Sequence, residues 1–207
     1  MSQADDRAEA TVDGRTARRD RNRDAVLDGV LDLFAEGDLD PTAIDVAERS
    51  GVSLRSVYRY YDDIDELVRA AIERSMARND HRFRTPDDAG EGPRVERIER
   101  FVEHRCSLYE AITGLATAAA TRARTDPRVR AGYQHRLEQL RDQQSVAFAP
   151  ELDRQRSRSR RDDLEQALWL VSGIEALGYL YGSGAQSPAA ARRVMRRAIE
   201  RLLADDA

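Results

Sequence analysis

The sequence predicts an all-α chain of about nine helices in two domains, and three observations predict it. Apolar residues recur at three-to-four spacing in successive segments. These run from Val26, Leu27, Val30, Leu31, Leu33 and Phe34 near the start to Val194, Met195, Ala198, Ile199, Leu202 and Leu203 near the end. Residues that start and stop helices fall between the segments: Thr42, Ser53, Asp62 or Asp63, Asp126-Pro127 and Ser187-Pro188 at starts, Gly37, Gly51 and Gly182-Ser183-Gly184 at ends. A polar, turn-prone break from His81 to Pro93 then divides the chain.

At 207 residues, 41% hydrophobic and 35% charged, the chain can bury one or two helical cores. Its net charge of −4 does not mark it as a nucleic-acid binder. Every basic residue is Arg, so phosphate contacts would rest on guanidinium forks. One cysteine, Cys106, can form no internal disulfide, and no charged-then-apolar leader opens the chain, so a cytoplasmic location is expected. The longest nearly apolar run, Ala167 to Tyr181, contains Ser172 and Glu175 and falls short of the roughly 18 to 20 residues a bilayer requires. It reads as a buried helix, and no membrane partner is expected. Among the three histidines, His81, His104 and His135, no metal spacing or Ser–His–Asp arrangement appears, and no Gly-rich phosphate loop is present. Catalytic residues, metal and cofactor are therefore all expected to be none, with His104-Arg105-Cys106 read as packing.

In order, residues 1–16 are polar, lack apolar periodicity and read as a disordered tail. Arg15, Arg18, Arg19, Arg21 and Arg23 then concentrate positive charge ahead of helix one. Helix one carries an outer acidic stripe of Asp24, Asp28, Asp32 and Glu36, which should keep it away from a polyanion. After the turn Asp38 to Pro41, Thr42 caps helix two, and Asp45 reaches back to the Thr42 N–H. Gly51 supplies the positive φ of the turn, and Ser53 caps helix three. Val46, Ala47, Val57 and Tyr61 face inward. Arg55, Ser56, Arg59 and Tyr60 form an opposite cationic and aromatic face on a helix of about two turns, a size that a duplex major groove admits. Helix four starts at Asp62 or Asp63 and continues through Leu67, Ala70 and Ala71 to about Asn79.

Ala47, Gly51-Val52-Ser53, Val57-Tyr58-Arg59-Tyr60-Tyr61 and Leu67 together resemble the DNA-binding signature of TetR-type (tetracycline-repressor-like) regulators, over roughly Arg19 to Met76. The resemblance implies a helix-turn-helix DNA-binding domain at residues 17–79 and an effector-binding and dimerisation domain at residues 80–207. It implies double-stranded operator DNA as partner, with Arg19, Thr42, Ser53, Leu54, Arg55, Ser56, Tyr58, Arg59 and Tyr60 as contacts. The arginines before helix one are either an arm reaching the DNA backbone or minor groove, or a solvated helix start. Related regulators often place Lys near the start of helix four, where this chain has Ile64 among acids.

Beyond the break, helix five passes through Val95, Ile98, Phe101, Val102 and Arg105. Helix six follows through Leu108, Ile112, Leu115 and Ala116, and helix seven through Val129, Tyr133, Leu137, Leu140 and Val146. Ala149 to Asp163, with its Arg/Ser run, reads as a solvated, mobile loop. Helix eight, Asp162 or Asp163 to Tyr181, is apolar on almost every side, so it needs covering. Helices eight and nine are therefore expected to form a homodimer interface as a four-helix bundle. The resemblance implies an effector cavity among helices five to eight. Candidates for a small, partly hydrophobic ligand are Phe101, His104, Cys106, Tyr109, Ile112, Tyr133, Trp169, Ser172, Glu175 and Tyr179. A ligand-responsive repressor on a palindromic operator is the functional expectation. The alternative is a helical protein-interaction module that has lost specific DNA binding, to which the acidic surface and the absent Lys point.

Overall fold

The computed structural model describes residues 3–184 and 187–204, and the chain divides into two compact units, Met1–Ala77 and Arg78–Ala207. All regular elements of the described residues are helical. None of those helices is long and apolar enough to cross a membrane.

In the first unit, α1 spans Gln3–Ala35, α2 Ala43–Ser50, α3 Leu54–Tyr60, and α4 runs over Ile64–Arg78. The tail expected over residues 1–16 is instead helical from Gln3. Residues 3–16 contain Ala4, Ala8 and Ala10 and no proline, so nothing in them stops the helix short of its apolar stripe. The core is Val26, Val30, Phe34, Val46, Val57, Tyr61, Leu67, Val68 and Ile72, all at most 3% exposed. Val57 and Tyr61 thus anchor α3 from one side, as their four-residue spacing predicts.

The acidic stripe of α1 is not left to solvent. Arg74 of α4 donates to the carboxylates of Asp24 and Asp28, and Arg49 of α2 grips both oxygens of Glu36. Three of the four acids that argued against DNA are therefore neutralised within the unit, by cations 13 to 50 residues away in sequence.

The second unit is built on α6, Arg94–Arg122, which contains the helices expected separately as five and six. The division expected between Arg105 and Leu108 is absent, and the one kink of α6 falls later, at Ile112 (φ −127°, ψ 16°), inside the expected sixth helix. There the Thr113 hydroxyl donates to the Tyr109 carbonyl at 2.9 Å, a side-chain bond that competes with the helix ladder and bends it. Around α6 lie α5 (Asp80–Phe83), α7 (Pro127–Ala147), α8 (Ala149–Asp153), α9 (Arg158–Ser172), α10 (Ile174–Tyr179), a π-turn at Leu180–Gly184, and α11 (Pro188–Ala204).

Two further expectations change. The Arg/Ser run is partly helical, because the Ser157 side chain caps α9 by accepting from the Arg160 N–H, and Arg161 binds Asp153 and Glu165. The expected eighth helix is two helices, since the backbone turns extended at Gly173 (ψ 167°). Val146, expected inward, is 43% exposed, and the buried stripe of α7 continues instead through Leu140, Gln143, Gln144 and Ala147.

The start of α6 is fixed to α8 by a buried ion pair. Arg97 and Glu151, at 4% and 3% side-chain exposure, meet through two parallel bonds of 2.6 and 2.9 Å. Arg97 Nε also donates to the Gly92 carbonyl at 3.2 Å. Such a pair is costly to break from one side, because the remaining charge stays buried and unanswered. Arg97→Ala is expected to lower unfolding free energy by about 3–5 kcal/mol. The double change Arg97→Met with Glu151→Leu should cost much less, both read by urea denaturation.

Candidate functional site

Helix α3 is set by two caps and one glycine. At the start of α2, Thr42 and Asp45 form a capping box: the Asp45 N–H donates to the Thr42 hydroxyl at 3.3 Å, and the Thr42 N–H to the Asp45 carboxylate at 2.8 Å. The Thr42 hydroxyl, donating to the Asp45 carboxylate at 2.6 Å, and then the Thr42 N–H hold that carboxyl below its ordinary pKa. Gly51 ends α2 at φ +68°, a region open to glycine without strain. Ser53 then caps α3, accepting from the Ser56 N–H at 3.3 Å.

With Val57 and Tyr61 buried, α3 presents Leu54, Arg55, Tyr58 and Arg59 outward, Tyr58 at 55% exposure. Arg59 lies 5.1 Å from the Tyr60 ring centroid and donates to the Tyr60 hydroxyl at 3.0 Å, joining the two into one polar surface. Ser56 is half-buried beside them, and Ser53 and Arg19 are exposed. Thr42 is exposed too, but its N–H and hydroxyl both engage Asp45. At the start of α4, Asp63 accepts from the Glu66 N–H and Glu66 from the Asp62 N–H, each at 2.7 Å, so carboxylates occupy the amides that a phosphate would use.

In the second unit, a cavity of about 380 Å³ is lined by Phe101, His104, Gln143, Ala147 and the turn around Pro86 to Ala89. That turn lies close on α7 because Gly90 lacks a Cβ, which would stand 3.1 Å from the Val146 carbonyl oxygen. Of the effector candidates carried forward as ligand-binding, Phe101 and His104 line this cavity. The rest are placed elsewhere. Tyr109 is buried against Tyr181, at 5.2 Å between rings, and Ser172 is buried with its hydroxyl donating to the Leu168 carbonyl. Trp169 packs under Arg141 and Arg105. Tyr133 donates to Glu175 at 3.3 Å, and burial beside that carboxylate pushes its pKa up to about 12. Glu175 and Tyr179 line a different, open groove of about 450 Å³, with Leu170, Val194, Met195 and Ala198.

Two polar side chains stand out in the interior: Arg105, which the sequence placed on the inner stripe of helix five, and Gln143, which it did not single out. Arg105 is fully buried, stacked 4.9 Å from the Phe101 ring, and donates to the Leu140 carbonyl at 2.8 Å; no carboxylate meets it among the described residues, and burial lowers its pKa to about 9. Gln143 is 1% exposed. Its signal was present as a polar residue three positions after Leu140 on the buried stripe of α7.

Residues 26–71 match the family described as bacterial regulatory proteins, tetR family, a span containing α2, α3 and the apolar part of α1. No curated protein matches the chain.

His104 provides a pH test of this interior. Burial, with the Arg105 and Arg82 charges, holds its pKa below the ordinary value. The unfolded chain therefore binds the proton first as pH falls, and stability present above about pH 6.5 drains away below it. His104→Gln is expected to lose less stability than the wild type between pH 7 and pH 5.5, as measured by urea midpoints.

Proposed function

With residues 26–71 identified as a TetR-type DNA-binding domain, we propose that this transcription regulator is a homodimeric, ligand-responsive repressor of a palindromic operator. The observation that carries the DNA reading is the division of α3: Val57 and Tyr61 buried, Leu54, Arg55, Tyr58 and Arg59 outward. Arg55 and Arg59 suit guanine edges or phosphates, Leu54 a thymine methyl, and Ser53, Tyr58 and Tyr60 phosphate oxygens. Ser56 is small enough for close base approach, Arg19 supplies a backbone contact ahead of the core of α1, and Thr42 serves once Asp45 yields its N–H.

Dimerisation is supported by an uncovered apolar face across α9, α10 and α11, where Leu170 is 76%, Tyr179 65% and Val194 51% exposed. An apolar groove of that kind is self-complementary across a two-fold axis. Two reading helices about one helical turn apart, ~34 Å, or a multiple of it, then match a palindrome. The cavity in the second unit supports an effector, which shifts the population of operator-competent dimers by its differential affinity for the two states. A cytoplasmic location accords with DNA as partner. The carboxylates capping α4 favour the alternative, an interaction module without specific DNA binding.

Selection of random duplex DNA by purified protein at two salt concentrations separates the readings. A palindromic motif bound more weakly at higher salt is expected; no enriched motif at either salt sinks the operator reading. On the selected sequence, Tyr58→Ala and Arg59→Ala should each weaken binding by about 1–3 kcal/mol, Arg59→Ala with relaxed sequence preference. Leu170→Glu should yield monomers by light scattering; a persistent dimer would place the interface elsewhere.

A further inference from the structure

Helix α3 is seven residues long, too short to hold its shape or direction alone in water, so both come from what it is tied to. Its first turn is held by the Ser53 cap, and Val57 fixes its middle against the core. Its last turn, which carries Arg59 and Tyr60, ends on Tyr61. The Tyr61 N–H still closes onto the Val57 carbonyl at 3.1 Å, but its backbone is already extended (φ −139°, ψ 134°). The Tyr61 side chain is therefore the tether of this end of the helix.

Burial of the ring, at 3% exposure, restrains that tether, and the hydroxyl gives it a direction. Arg23 of α1, 38 residues earlier, donates from Nε to the Tyr61 hydroxyl at 3.3 Å, and its guanidinium carbon lies 5.5 Å from the ring centroid. One cation thus meets both the hydroxyl and the π-face of the same side chain, and a charged donor makes the stronger bond.

Arg23 is one of the five arginines between residues 15 and 23, and its surroundings mark it as a holder of protein rather than of phosphate. It borders a groove of about 390 Å³ whose lining also includes Asp20, Asp24, Leu27, Tyr61, Glu73 and Arg74. Arg74 is committed to Asp24 and Asp28. A phosphate entering this groove would meet the field of three carboxylates, those of Asp20, Asp24 and Glu73.

We propose that Arg23 is a positioning residue for DNA reading: through the Tyr61 hydroxyl it fixes the last turn of α3 against α1, and with it the direction of Arg59 and Tyr60. The proposal rests on the DNA reading of α3. Its signature differs from that of a phosphate contact. Loss of a phosphate contact weakens all sequences alike and lowers the salt slope by about one, whereas a loosened α3 weakens the operator and spares non-specific DNA.

Tyr61→Phe, Arg23→Gln and their double variant test it on the full chain, at a temperature where urea curves show each to be folded. Without DNA, amide exchange across residues 54–61, read by mass spectrometry, is expected to quicken about fivefold in either single variant and no further in the double. On the selected operator, each single variant should bind about fivefold more weakly and the double no worse, with a scrambled duplex changed by less than about twofold. Unchanged exchange in Tyr61→Phe, additive losses in the double, or an equal loss on operator and scrambled duplex overturns the proposal. So does a salt slope lowered by about one in Arg23→Gln. The exchange experiment uses no DNA. A chain that selects no operator fails the regulator reading through the selection, and exchange still decides whether Arg23 and Tyr61 act as one.

Discussion

The guanidinium fork of Arg97, closed on both carboxylate oxygens of Glu151, is the constraint on which the second unit depends. It ties the first turn of α6 to α8, and α6 is the helix around which the others are laid. Phe101 and His104 follow one and two turns after Arg97, so the cavity wall takes its place from that anchor. The same device recurs wherever helices distant in sequence must stay together. Arg74 binds two acids of α1, Arg136 binds Asp80 and covers Phe83, and Arg192 binds Glu103 and Glu110. A chain whose every lysine-or-arginine position is Arg has planar, multi-donor cations at all of these places, and one such side chain can satisfy two acceptors on different turns.

What the sequence made legible was local. Thr42 and Asp45, Gly51 and Ser53 act within three residues of themselves, and each appears in the structure as the cap or turn that its chemistry predicts. Val57 and Tyr61, one turn apart, orient α3, so its outward face followed without any knowledge of the rest. What stayed hidden depends on partners far along the chain. The acidic stripe of α1 looks repulsive until Arg74 and Arg49 are seen on it, some 13 to 50 residues away. The kink at Ile112 arises from a hydroxyl that propensity treats as one more helix residue. The cavity lining was misplaced because aromatic residues attract attention as ligand contacts, yet Tyr109 and Trp169 are spent on packing.

The two units use opposite chemistries. The outward face of α3 is cationic and hydroxylated and open to water. The cavity of the second unit combines apolar walls with the Ser107 hydroxyl and with Arg100 and Glu103, whose charges pair with Asp88 and Arg192. A single composition supports both because arginine is placed outward in one and paired inward in the other, so net charge says little about either.

The Arg82 carbonyl accepts from both Gln143 and His104, the two polar groups that also border the cavity. Each side chain thus ties α5 to a different long helix, Gln143 to α7 and His104 to α6. The hold on that carbonyl is redundant, so a substitution at either position leaves the short helix tethered by the other.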